Sequence, residues 1–194
     1  MPAYLTIQEP SQARLTVKMS RFLAFAWPVD SLEEAKARVA ELQHDYHDAR
    51  HVCYAWVLGP TRAEQFSTDA GEPSGTAGKP ILGQINSRGL TNVVVGVVRY
   101  FGGIKLGTPG LIAAYKESAA GCLDAASVVE RHEMRTLEVQ FPYAAMNDVM
   151  TLAKQPGIKI LGKSFDNLCS LRLLVTSDQA PELESRLRKA GATL

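Results

Sequence analysis

The sequence is poor in cysteine, poor in net charge and without long apolar runs, and each shortage narrows what the protein can be. Of its 194 residues three are cysteine, Cys53, Cys122 and Cys169, and no two form a C-x-x-C pair. An odd, scattered set speaks for reduced thiols rather than a disulfide framework. No stretch approaches the ~20 apolar residues of a membrane span. The start, Met1-Pro2-Ala3-Tyr4, has no basic segment running into an apolar one, so no export signal is expected and the cytoplasm is the expected location. Lys and Arg number 21 against 20 Asp and Glu, a formal net charge of +1. Such a balance exerts no overall pull on nucleic acid, so any such role must come from a local patch. Internal repeats and low-complexity segments are missing too.

What is present is concentrated between Asp69 and Tyr115. This stretch opens with Asp69-Ala70-Gly71-Glu72-Pro73-Ser74-Gly75-Thr76-Ala77-Gly78-Lys79-Pro80 and closes with Arg99-Tyr100-Phe101-Gly102-Gly103-Ile104-Lys105-Leu106-Gly107-Thr108-Pro109-Gly110-Leu111. Between the two lies the apolar run 93–98, β-branched and too short to span a membrane, which reads as a buried strand. From Lys79 to Lys116 the chain carries Lys79, Arg88, Arg99, Lys105 and Lys116 and no acidic residue. A near-neutral protein thus holds a basic, glycine-rich segment at its middle.

The remaining pattern is that of an α+β protein. Strands are expected at 4–8, 13–18 and 21–27, the last with Phe22, Ala24 and Ala26 on one face and Leu23, Phe25 and Trp27 on the other. Ser31-x-x-Glu34 is a capping box before a helix striped by Leu32, Ala35, Val39, Leu42 and Tyr46. An apolar strand at 51–58 pairs with 63–68. A short helix over 79–85 is stopped by Asn86-Ser87-Arg88-Gly89, and Thr108-Pro109 supplies the N-cap and first-turn proline of a long helix. Past a charged interruption at 129–135 come a strand (136–141), a helix (143–154), two strands (159–165 and 168–176) joined by a two-residue turn at Asp166-Asn167, and a helix (179–190). That β-α-β-β-α order fits a small ferredoxin-like domain, giving expected domains at 1–132 and 133–194.

Several residues invite a chemical reading. The helix starts near 76–79 and 108 offer free amides and the positive end of a dipole, with Lys79 and Lys105 beside them. If the two loops lie side by side they form a surface for phosphate or carboxylate, to which Arg99 and Tyr100 would add a charged donor and a stacking face suited to RNA; the bland alternative is that the glycines serve tight packing and the lysines are solvated. Ser74 and Thr76 read as caps and anion donors, since no Gly-x-Ser-x-Gly elbow surrounds them. Gly103-x-x-x-Gly107-Thr108 lacks the lysine and spacing of a P-loop, and no Rossmann pattern follows a strand, which argues against ATP as a cofactor. Asp69 and Glu72 suit a general acid and base or a cation site; the alternative, favoured here, is that they cap the loop by accepting backbone amides. His44, His47, His51 and Cys53 match no familiar zinc spacing, so no metal is expected. A Cys53–His51 nucleophilic pair needs an exposed, electropositive thiol, and Tyr54-Ala55-Trp56 points instead to burial.

The strings 71–82 and 99–108, with His51-Val52-Cys53, resemble the signature of the YigZ/IMPACT family, and the resemblance spans the whole chain. Ala70 stands where that family usually has a second Asp, and Pro109 where it has glycine. The resemblance implies a larger N-terminal domain similar to the second domain of small-subunit ribosomal protein five and a smaller one similar to a domain of elongation factor G. It also implies translation-linked work: eukaryotic relatives associate with ribosomes and restrain a starvation-responsive kinase through an additional amino-terminal domain. The chain is read as beginning at the family domain itself, so that partner is not expected to carry over. The expectation is an RNA- or ribosome-binding protein without cofactor, contacting RNA through Lys79, Arg99, Tyr100, Lys105 and Thr108 and the amides at Gly102, Gly103 and Gly107. The competing class is a hydrolase on a small acidic or peptidic substrate, using His51, Asp69 and Glu72. A third is a regulatory protein-interaction module.

Overall fold

The β-branched run becomes the middle strand of a five-stranded antiparallel sheet. The computed structural model describes residues 3–194, and the chain divides into two units, Tyr4–Arg131 and His132–Leu194. In the first unit the elements are β1 (Tyr4–Ile7), β2 (Ser11–Val17), β3 (Ser20–Pro28), α1 (Leu32–Asp45), β4 (His51–Leu58), β5 (Glu64–Thr68), α2 (Gly78–Ser87), β6 (Val93–Tyr100), α3 (Gly107–Asp124) and β7 (Val128–Arg131). The large sheet has the order β2-β3-β6-β4-β5. Both faces of β6 are covered, which is why its sequence is continuously apolar rather than alternating. Val93, Val95 and Val97 join Phe22, Ala24, Ala26, Cys53, Ala55 and Val57 beneath Ile81 and Ile85 of α2 and Leu111, Tyr115 and Ala119 of α3. On the opposite face Val94 packs with Val39 and Trp56, and Val98 with Leu42 and Val52, beneath α1. Gly96 sits where α1 comes closest: a Cβ there would lie 2.5 Å from Leu42 Cδ2.

The alternation read for β3 matches this division of faces, and β4 pairs with β5 as expected. Four local readings need correction. Ser31 Oγ accepts from the Glu34 amide at 3.1 Å, but Glu34 reaches back to the Asp30 amide, one residue before the place a capping box assigns. α3 begins at Gly107 with Leu106 before it, and among the described residues no side chain caps it, so Thr108 is inside the helix. The segment read as a charged interruption contains β7, which pairs antiparallel with β1 in a separate two-stranded sheet. A partner so distant in sequence leaves no local trace.

The second unit contains β8 (Met134–Phe141), a 3₁₀ turn (Tyr143–Ala145), α4 (Met146–Ala153), β9 (Lys159–Phe165), β10 (Cys169–Thr176) and α5 (Ala180–Lys189). Its sheet has the antiparallel order β8-β10-β9, and Thr193 adds a bridge to Gln140 of β8. Leu137, Val139, Leu171 and Leu173 face Val149, Leu183 and Leu187 of the helices in its core. The fourth correction falls here: Cys169 pairs with Phe165, so the hairpin loop holds three residues, 166–168, rather than two.

Candidate functional site

Register places the site. Arg99 lies opposite Phe22 of β3 and His51 of β4, so all three share the face covered by α2 and α3. Arg99 is 6% exposed, a position where a cation persists only if paired. Its Nη1 donates to Glu72 Oε1 at 2.6 Å, and Tyr115 Oη donates to the same oxygen at 2.7 Å. Burial pushes the Tyr115 hydroxyl well above the ordinary tyrosine range, so it stays a donor. The guanidinium also lies over the rings of Phe22 and Phe101, at 5.7 and 5.6 Å. His51 Nδ1 donates to the Ala70 carbonyl at 2.9 Å, and its Nε2 lies 3.8 Å from Glu72 Oε1. Ala70 holds that carbonyl in place from a left-handed backbone (φ +46°), a conformation Asp or Asn adopts more readily than Ala.

Asp69 has a different task. Its Oδ1 accepts from the Ala77 and Gly78 amides at 3.1 and 2.8 Å, and its Oδ2 from Gly75 at 2.8 Å. Desolvation raises the carboxyl pKa, but those amides, with Lys79 nearby, outweigh it and hold the group below its usual range. The first glycine stretch therefore already contains its anion, supplied by the chain, and the capping reading of Asp69 is the one seen. Cys53 closes the cluster from below: its thiol donates to the Asp69 carbonyl at 3.1 Å and lies 3.4 Å from Tyr115 Oη. Burial, reinforced by Glu72 and Asp69 against the opposing effect of Tyr115, pushes this thiol up to about 12. A neutral, buried thiol is no nucleophile.

The second glycine stretch is not filled in this way. Gly71, Glu72 and Pro73 of the first stretch and Arg99, Phe101, Lys105, Leu106, Gly107 and Thr108 of the second line a single cleft of about 440 Å³, completed by Arg50, His51 and Leu111. The start of α3 opens onto it, with no acidic residue in the helix's first turn. Lys105, Gly107 and Thr108 are exposed there.

Among the residues expected to bind, the cleft gathers Arg99, Lys105, Gly107 and Thr108, together with His51 and Glu72. Others lie elsewhere. Tyr100 points to the opposite face of the sheet, donates to Asp48 at 2.7 Å and stacks beneath Arg21, so it does not act with Arg99. Thr76 is fully buried, its hydroxyl donating to the Pro73 carbonyl at 2.6 Å, and is no anion donor. Gly102 presses its backbone onto the turn between β2 and β3, where an added Cβ would lie 2.1 Å from Met19 C, and its amide donates to Ser20 Oγ at 3.3 Å. Lys79, Ser74 and Gly103 are absent from the cleft lining. Arg50 and Phe101 line it although sequence reasoning assigns them no role; Arg50 precedes His51, and Phe101 lies inside the second glycine string, so proximity to motif residues is the available signal. No group of three or more His, Cys, Asp or Glu able to hold a metal occurs among the described residues, and no helix there is long and apolar enough to cross a membrane.

A model of the Impact N-terminal domain matches residues 18–123. The chain is 33% identical over 189 residues to IMPACT family member YigZ of Escherichia coli (strain K12), covering 96% of this chain and 93% of that protein. It is 50% identical over 107 residues to a Thermus thermophilus protein described as the IMPACT family member in the pol 5′ region, covering 55% of this chain and 56% of that one. Among solved structures, one described as an hypothetical protein matches with a TM-score of 0.74 at 32% identity, over 97% of this chain and 93% of the other.

Proposed function

We propose that this chain, which belongs to the IMPACT family, binds RNA or the ribosome in a translation-linked role, through the cleft at the start of α3 rather than through both glycine loops equally. The observation that carries this reading is the contrast between the two helix starts. At α2 the amides are taken by Asp69, whereas at α3 no side chain among the described residues takes them and Lys105 and Arg50 stand beside the opening. Free amides at a helix start together with cations favour an anion. Because Arg99 is balanced by Glu72, the charge left for a ligand is that of Arg50 and Lys105.

The finer fold assignments, proposed with it, fit the same setting. The order β8-β10-β9 with a further bridge at Thr193 is what a ferredoxin-like domain such as that of elongation factor G would present over 133–194. The larger domain, 1–132, is read as similar to the second domain of ribosomal protein five. A hydrolase finds less support, because Asp69 is committed to a helix start and Glu72 to Arg99 and Tyr115.

The test is a titration with single-stranded RNA across a salt series. Affinity should fall as salt rises, and replacing Arg50 and Lys105 by alanine should reduce the log–log slope by roughly 0.7 for each phosphate no longer neutralised. Affinity independent of salt, or a slope unchanged in the double variant, would overturn the proposal.

A further inference from the structure

We infer that the cleft takes a nucleotide bearing a terminal monoester phosphate, its phosphate at the start of α3 and its base against Phe101; this deepens, and rests on, the RNA-binding reading. Four features of the cleft lead to it. The amides of Gly107 and Thr108 open the helix without a side-chain cap among the described residues, Pro109 has no amide to offer, and Lys105 stands two residues before Gly107 and lines the same cleft. That is a place for a concentrated negative charge.

Independently of the helix, Arg99 shows an unmet demand for an acceptor. It is 6% exposed and lines the cleft, yet its Nε–H has no partner among the described residues, since Glu72 is engaged through Nη1. A buried guanidinium donor without an acceptor is costly, and a ligand oxygen or ring nitrogen in the cleft would meet it.

The third feature is an aromatic wall. Phe101 remains 43% exposed although it follows a buried strand, and one side of its ring is held by Arg99 at 5.6 Å. A ring fixed from one side and open on the other is a platform for a base.

The fourth is the closed floor. The side chains of Glu72, Arg99 and His51 are 3%, 7% and 13% exposed, so they form a packed floor against which a nucleotide end would come to rest. The volume of about 440 Å³ falls within the ~300–1,000 Å³ of pockets that enclose small ligands. Glu72 does not repel the phosphate from below, because Arg99 neutralises it and Tyr115 hydrogen-bonds it.

Free nucleotides and RNA ends share this chemistry, and one experiment separates them. A labelled single-stranded RNA is prepared with a 5′-phosphate, with a 3′-phosphate and with neither, and each is titrated by anisotropy against the full chain, with adenosine and guanosine monophosphates as competitors. One of the phosphate-terminated forms should bind about tenfold more tightly than the hydroxyl form, the size of one charge-assisted hydrogen bond, and the monophosphates should displace it. Lys105→Ala should erase the preference and Phe101→Ala should weaken the monophosphates; both side chains are exposed, so the fold survives. Monophosphate binding without RNA binding would remove the RNA reading and, with it, the inference for RNA ends, leaving a free nucleotide as the cleft's ligand. RNA bound equally with all three ends and not displaced would overturn the inference and leave that reading standing. Binding of neither would overturn both.

Discussion

Glu72 accepts from Arg99 and Tyr115 on one oxygen while both charged groups are almost wholly withdrawn from water. Breaking such a pair from one side leaves the other charge stranded, so Glu72→Ala should lower unfolding free energy by about 3–5 kcal/mol, measured by urea titration. Asp69 should act through pH as well. Its carboxyl is held below the usual range in the folded chain, so its stabilising effect is complete above the unfolded value of about 3.9 and disappears as pH falls through the folded one. Asp69→Asn should therefore cost about 1–2 kcal/mol at neutral pH, a difference that shrinks steadily below about pH 4. Both carboxylates stand out in the sequence, and the capping role of Asp69 is readable there because Asp commonly accepts turn amides. The partner of Glu72 is not readable, because strand register rather than spacing brings Arg99 within reach from 27 positions away.

At the level of elements, the two glycine stretches look alike in sequence and diverge in space. Glycine is required in each for close backbone approach. Gly78 lies where a Cβ would come within 2.8 Å of the Thr68 backbone, and Gly102 where it would come within 2.1 Å of Met19. Backbone cannot yield as a side-chain tip does, so Gly102→Ala should cost about 1–3 kcal/mol or more, seen as a lowered Tm. The expectation that Gly102 faces a ligand fails for the same reason: its missing Cβ serves the β2–β3 turn. The opposite orientations of Arg99 and Tyr100 follow from strand alternation alone and are available from the sequence. The uncapped start of α3 is not, because Thr108-Pro109 mimics a cap and first-turn proline, and only the backbone shows the helix opening one residue earlier, at Gly107.

For the whole chain, the apolar periodicity carries most of the element order. The β-branched run marks the buried centre of the large sheet, while the order β2-β3-β6-β4-β5 and the pairing of β1 with β7 depend on distant segments that no local pattern encodes. Family membership is what the comparisons show; the translation-linked setting is part of the proposal. Chemistry of the cleft supplies the proposed mode of binding: one helix start is sealed by the chain's own carboxylate, and the second is proposed to take an outside anion. The most direct measurement is the anomalous difference map of crystals soaked in selenate. The account predicts a peak at the start of α3, within hydrogen-bonding distance of the Gly107 or Thr108 amide and beside Lys105, and none at the α2 amides held by Asp69. A peak at Gly75, Ala77 and Gly78 with the Asp69 carboxylate displaced, or an empty cleft in crystals that bind selenate elsewhere, would contradict it.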